Sequence, residues 1–256
     1  MVKSRFFNNN LLDRHIAITD GVFAIAMTIL VLEIAVPTIS NISSTMALGE
    51  YFINYLIPAI IIYFISFFLV FNFWETTTIL FSFKKVNHNI LFLNMLGLAT
   101  ICLIPFATGF LFNFYEYFEV NLFFSCLILI ISIIYLIILL LLVKDNFSEI
   151  FDNKDMLKDK YNDKIEKGLV FPNFKIYMRG AVLTIFYLVL SPIIISIISI
   201  LLALISPMLS ILSFILILVL RLIIRMKRMK NDLNTDKNLT DTEREFLEEI
   251  EKTLYD

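Results

Sequence analysis

The chain has little of what soluble enzymes use for chemistry. It holds six glycines, two cysteines and two histidines in 256 residues. The glycines stand far apart, so no glycine-rich loop can cradle a phosphate. Cys102 and Cys126 fall in separate apolar runs. They offer neither a disulfide framework nor metal-ligand spacing, and no Cys/His cluster can hold zinc. No Ser, His and Asp share a region, which removes the acyl-transfer triad. These absences argue against an enzyme, and no cofactor or resident metal is expected. Charge is scarce too. Charged residues make up 17% of the chain and the formal net charge is −2, so no basic field points to nucleic acid.

Cations are missing from long stretches. There is no Lys or Arg between Arg14 and Lys84, between Lys85 and Lys144, or between Arg179 and Arg221. What fills those gaps is apolar: 59% of the residues are hydrophobic, and mean hydropathy is +0.84. A soluble core of that composition would have no polar surface. The apolar stretches run over 17–36, 53–73, 90–112, 122–143, 180–203 and 208–224. Each approaches the ~20 residues a helix needs to cross a ~30 Å hydrocarbon layer. Helices satisfy their backbone groups internally, and the alternation of a membrane barrel strand is absent. The expected fold is therefore an all-α membrane protein with six transmembrane helices, in contact with the lipid bilayer as a multi-pass protein of the cell membrane.

The remaining cations orient it. Positive residues collect on the cytoplasmic side. Lys3, Arg5 and Arg14 precede the first stretch, and Lys84 and Lys85 follow the second. The segment 144–178 is rich in Lys, and Arg221, Arg225, Lys227, Arg228 and Lys230 end the last stretch. The intervening loops carry Glu50, Glu116 and Glu119 and no cation. Both termini are thus expected in the cytoplasm. The first stretch lacks a small-residue cleavage pattern and reads as a retained helix. Residues 1–225 form the six-helix domain, with 144–178 as a charged cytoplasmic loop, a surface helix or linker. Residues 226–256 form a tail. Within it Thr240-Asp241-Thr242-Glu243 has capping-box spacing, followed by Phe246, Leu247, Ile250 and Leu254, so a short amphipathic helix is expected there.

Asp20 is the most informative side chain. A carboxylate entering lipid is costly unless paired, hydrated or turned into the bundle. It can be a structural pin between helices, or it can meet an ion directly. Gly21, Ile25, Thr28, Ile29 and Leu32 lie on one helical stripe. By itself that stripe reads as lipid-facing, with Thr28 bonding its own helix. Asp20, Ala24, Met27 and Val31 lie on another, whose small residues permit close helix approach. No Thr-Val-Gly-Tyr-Gly filter and no intramembrane Arg series occur.

The segment Arg14-His15-Ile16-Ala17-Ile18-Thr19-Asp20-Gly21-Val22-Phe23-Ala24-Ile25-Ala26-Met27-Thr28 resembles the first-helix motif of the prokaryotic transmembrane protein 175 family of potassium channels. Leu93-Asn94-Met95-Leu96 with Leu103-Ile104-Pro105-Phe106-Ala107-Thr108 resembles a second motif, and Trp74 falls at the family's Trp position. Ile18-Thr19 replaces Phe-Ser, and Thr76-Thr77-Thr78 stands where the family has His, leaving Thr77 as the candidate replacement. The resemblance implies a homotetramer whose first helices line a central pore. By position, Ile25 would be the narrow apolar ring, Ile29 and Leu32 the next layers, and Thr28 a source of hydroxyls beside the path. Arg14, Thr19, Asp20 and Trp74 would hold the first helix to its neighbours. Permeant potassium would be the only ion bound, and only in transit. Two other functions stay open at this point. One is a proton channel or proton-coupled transporter using Asp20. The other is a non-conducting scaffold that binds a partner through its loop and tail.

Overall fold

The computed structural model describes the backbone of residues 2–34, 48–81, 86–166, 171–224 and 226, and the side chains of 11–34, 49–81, 86–144, 187–224 and 226. The expected tail helix after residue 240 lies outside the described residues. Every regular element among the described residues is helical. They are α1 (Val2–Leu32), α2 (Leu48–Tyr51), a π-helical turn (Phe52–Leu56), α3 (Ile57–Phe81), α4 (His88–Ile101), α5 (Leu103–Phe114), α6 (Phe118–Glu166), α7 (Phe171–Ala203) and α8 (Pro207–Ser213), and after a turn at Phe214 the last helix goes on over 215–224.

Five of the described helical stretches are long and apolar enough to cross a membrane: Leu11–Leu32, Gly49–Phe81, His88–Phe114, Phe118–Lys144 and Pro207–Ile224. A shorter apolar helix covers Tyr187–Ala203. The bounds differ from expectation in ways with physical causes. The second stretch passes Phe73 and runs to Phe81, because Trp74–Leu80 supplies no breaker. The third is interrupted at Cys102. Pro105 has no N–H for the carbonyl of Ile101, so the ladder fails one turn before the proline. Of the readings open for the charged segment 144–178, its described backbone takes the helical one: α6 continues to Glu166, and α7 starts at Phe171. Lys and Asp are tolerated in a solvated helix.

The helices pack as a bundle. Of these, α6 lies against α7, α4 and α5, while α8 packs on α7 and α6. The first helix packs on α3, α5 and α4. Lipid is as apolar as Leu, so burial alone does not drive these contacts. Close packing and interhelical hydrogen bonds do. The core is aromatic and aliphatic. Phe73 stacks on fully buried Tyr135 at 5.8 Å, and Phe124 meets Phe214 edge to face at 5.5 Å. Polar joints orient the helices. Thr108 donates to Ser66 at 3.0 Å, joining α5 to α3. Ser125, Ser199 and Ser210 lie 2.8 Å apart in series and join α6, α7 and α8.

Gly97 makes room beside the Tyr135 ring. A Cβ there would sit 3.5 Å from Ile134 Cγ2 and from the Tyr135 hydroxyl, an ordinary contact. Gly97→Ala is therefore expected to leave the thermal midpoint in detergent unchanged or raise it, since Ala gains up to about 1 kcal/mol of helix propensity. Gly97→Leu is expected to lower it by overpacking, at a cost of about 1–3 kcal/mol.

Candidate functional site at the first helix

Two faces of α1 differ in what they meet. His15, Thr19, Phe23, Ala26 and Leu30 are buried, and their spacing forms one helical stripe. The opposite side is bare: Ile25 is 60% exposed and Leu32 77%, with Ile29 and Thr28 exposed between them. Thr28 turns its hydroxyl back to the carbonyls of Ile25 and Ala24, at 2.9 and 3.1 Å. Asp20, Ala24 and Val31 are exposed too, and Met27 is half-buried. The stripe of small residues is thus not the face that packs within the protomer. Position is decided by the polar atoms of His15 and Thr19, whose partner lies in α4, and by the ring of Phe23.

That partner is Asn94. Its Nδ2 lies 2.9 Å from His15 Nε2 and donates to Thr19 Oγ1 at 3.0 Å. Thr19 in turn donates to the His15 carbonyl at 2.9 Å. An amide nitrogen only donates, so Nε2 accepts and the imidazole is neutral in this arrangement. Phe81 of α3 meets the same ring edge to face at 5.6 Å. All three polar residues are buried. Sequence reasoning named His15 and Asn94 only within the two quoted motifs and gave neither a role of its own. The available signal was a lone amide inside the apolar run Leu91–Leu98, where an unpartnered polar group is costly.

A second contact fixes the helix from α3. Trp74 Nε1 donates to Asp20 Oδ1 at 2.9 Å, and Phe71 packs on the indole at 5.6 Å. Arg14 is exposed and stands outside both contacts. Thr77 donates to the Phe73 carbonyl of its own helix at 2.6 Å, and its hydroxyl also meets the Tyr135 side chain of α6. At the far end of α1, Glu33 lies against Gly109 of α5, where a Cβ would collide with its carboxylate. After Arg14 no cation occurs along α1. Among the described residues no three His, Cys, Asp or Glu side chains come together to hold a metal.

The model of the endosomal/lysosomal potassium channel TMEM175 family matches residues 14–105. Residues 14–105 are similar to that family. The matched segment takes in α1 from Arg14, α3, α4 and the first residues of α5, so every contact just described for His15, Thr19 and Asp20 lies inside it. Two curated relatives are similar to part of the chain. A potassium channel of Streptomyces collinus (strain DSM 40733 / Tue 365) is 34% identical over 97 residues, which is 37% of this chain and 45% of the relative. A potassium channel of Chryseobacterium sp. (strain P1-3) is 38% identical over 93 residues, 36% of this chain and 44% of the relative. The chain thus spans less than half the length of the curated relatives it matches. The fold likeness is broader. The crystal structure of a lysosomal potassium-selective channel TMEM175 homolog from Chamaesiphon minutus superposes with a TM-score of 0.61 at 21% identity. That superposition covers 84% of this chain and 98% of the other.

Removing Asn94 tests the joint between α1 and α4. Asn94→Ala leaves His15 Nε2 buried without its donor, and is expected to cost about 1–3 kcal/mol of stability. His88→Ala, at an exposed position, is expected to stay within about 0.5 kcal/mol. Denaturant or thermal unfolding in detergent measures both.

Proposed function

We propose that this chain is a subunit of a homotetrameric, potassium-permeable cation channel in a prokaryotic cell membrane, with α1 of each subunit facing the central path. The observation that carries this reading is the bare apolar stripe Ile25, Thr28, Ile29 and Leu32, opposite a face fully engaged with its own protomer. The TMEM175-family segment and the channel fold of the Chamaesiphon homolog support it.

Four Ile25 side chains about an axis form a ring that closes by dewetting, and Ile29 and Leu32 extend it. Such a ring has no carbonyl cage. Its preference for potassium over sodium is modest and comes from the easier dehydration of the larger ion. Asp20 serves as the pin of the pore helix, because its oxygen already accepts the Trp74 indole.

The same contacts support the expected topology. His15 with Asn94, Asp20 with Trp74, and Arg221 with Glu75 tie the first helix, α3, α4 and the last helix together at one level of the bundle. Arg14 and Arg221 adjoin these contacts. Read by the positive-inside rule, that side is the cytoplasmic one, in keeping with six crossings and both termini inside.

Reconstituted protein in liposomes tests the reading. Ile25→Asn is expected to raise potassium flux several-fold and to narrow the potassium-to-sodium ratio, because a polar ring stays wet. An unchanged leak and ratio would sink the gate assignment. Asp20→Asn is expected to weaken the tetramer, read by native mass spectrometry, without a specific loss of proton flux. Loss of proton flux from an intact tetramer would make Asp20 a proton carrier instead.

A further inference from the structure

Trp74, which holds the first helix at Asp20, is followed directly by Glu75. Successive residues of a helix point about 100° apart, so α3 can grip two neighbours from adjacent positions, and it does. The second neighbour is the last helix. Arg221 Nη1 donates to Glu75 Oε2. Its Nη2 donates to the Asn72 carbonyl at 2.9 Å and to Thr76 Oγ1 at 3.1 Å. Arg221 lies near the end of the last apolar helix, inside the expected stretch 208–224, with its side chain 11% exposed. A guanidinium withdrawn that far is stable only when paired and hydrogen-bonded. Here a carboxylate, a carbonyl and a hydroxyl of a single turn of α3 meet it.

A contact of this kind sets more than stability. Three acceptors on one turn fix how α3 is rotated about its own axis at this level. That rotation aims the Trp74 indole N–H, and Trp74 meets Asp20 at 2.9 Å. A small turn of α3 would carry the donor away from the carboxylate. The last helix packs through α8 on α6 and α7, yet through Arg221 it bears on α1.

We infer that Glu75 and Arg221 are positioning residues for the first helix: their ion pair orients α3 so that Trp74 holds Asp20, and it couples the last helix to the cytoplasmic end of the pore helix. The flux consequence rests on the channel reading; the coupling of Arg221 to Trp74 does not.

The chain contains one tryptophan, so fluorescence excited at the red edge, where tyrosine does not absorb, reports Trp74 alone. Asp20→Ala gives the spectrum of an indole that has lost its acceptor. Glu75→Gln and Arg221→Gln are expected to shift the emission maximum in the same direction, with Glu75→Asp close to wild type. In liposomes both Gln variants are expected to lose at least threefold of the potassium flux while keeping the oligomer seen by native mass spectrometry. Wild-type emission from folded Gln variants overturns the inference. If those variants do not fold, Arg221→Lys decides, since it keeps the charge and loses the forked contact; an unshifted spectrum then overturns the inference. A shifted spectrum with unchanged flux overturns the bearing on conduction. Wild-type protein that passes no potassium would instead defeat the channel reading, and the fluorescence would still decide the coupling.

Discussion

Polar side chains inside hydrocarbon have to find their partners within the bundle, and the arrangement of this protein follows from where they find them. Apolar helices are nearly interchangeable to one another in lipid, since no hydrophobic force selects a rotation or a neighbour. Asn94 selects the face of α1 that turns inward. The Thr108–Ser66 bond selects the approach of α5 to α3, and the serine series selects that of α6, α7 and α8. Each joint is worth little by itself, of the order of 1 kcal/mol. Each makes the wrong rotation leave a buried group unsatisfied, and that penalty is the larger quantity.

The face proposed to line the pore is what this selection leaves over. With His15, Thr19, Phe23, Ala26 and Leu30 committed inward, the residues half a turn away are turned out of the protomer. They are Ile, Thr and Leu, so the protomer alone would show them to lipid. A symmetric assembly would show them to one another instead. The same side chains give a wall in one setting and a constriction in the other, and only the number of subunits around them differs.

Much of this was legible in the sequence. The apolar lengths and the gaps in Lys and Arg foretold an all-helical membrane protein, and the run from Arg14 to Thr28 foretold the family that residues 14–105 resemble. What stayed hidden depended on neighbours distant in the chain. Pro105 lies within a single span, as expected, but hydropathy does not register its missing N–H, and the interruption at Cys102 went unforeseen. For segment 144–178 charge pointed to solvent and left helix, loop and linker open. Ala24 and Val31 looked like a packing face because small size permits close approach, but permission is weaker than the demand of His15 and Thr19 for Asn94. The partner of Arg221 stayed hidden because Glu75 lies 146 positions earlier, and no local pattern links the two.

The division of contacts around α1 also limits how the protomer could move. Tilting the first helix would break the bonds of Asn94 to His15 and Thr19, and that of Trp74 to Asp20. It would leave the serine joints of α6, α7 and α8 whole. The second half of the chain is therefore the stationary part of any such motion, a keel against which the first helix turns, and the cost of the motion is confined to a few named hydrogen bonds near one membrane surface.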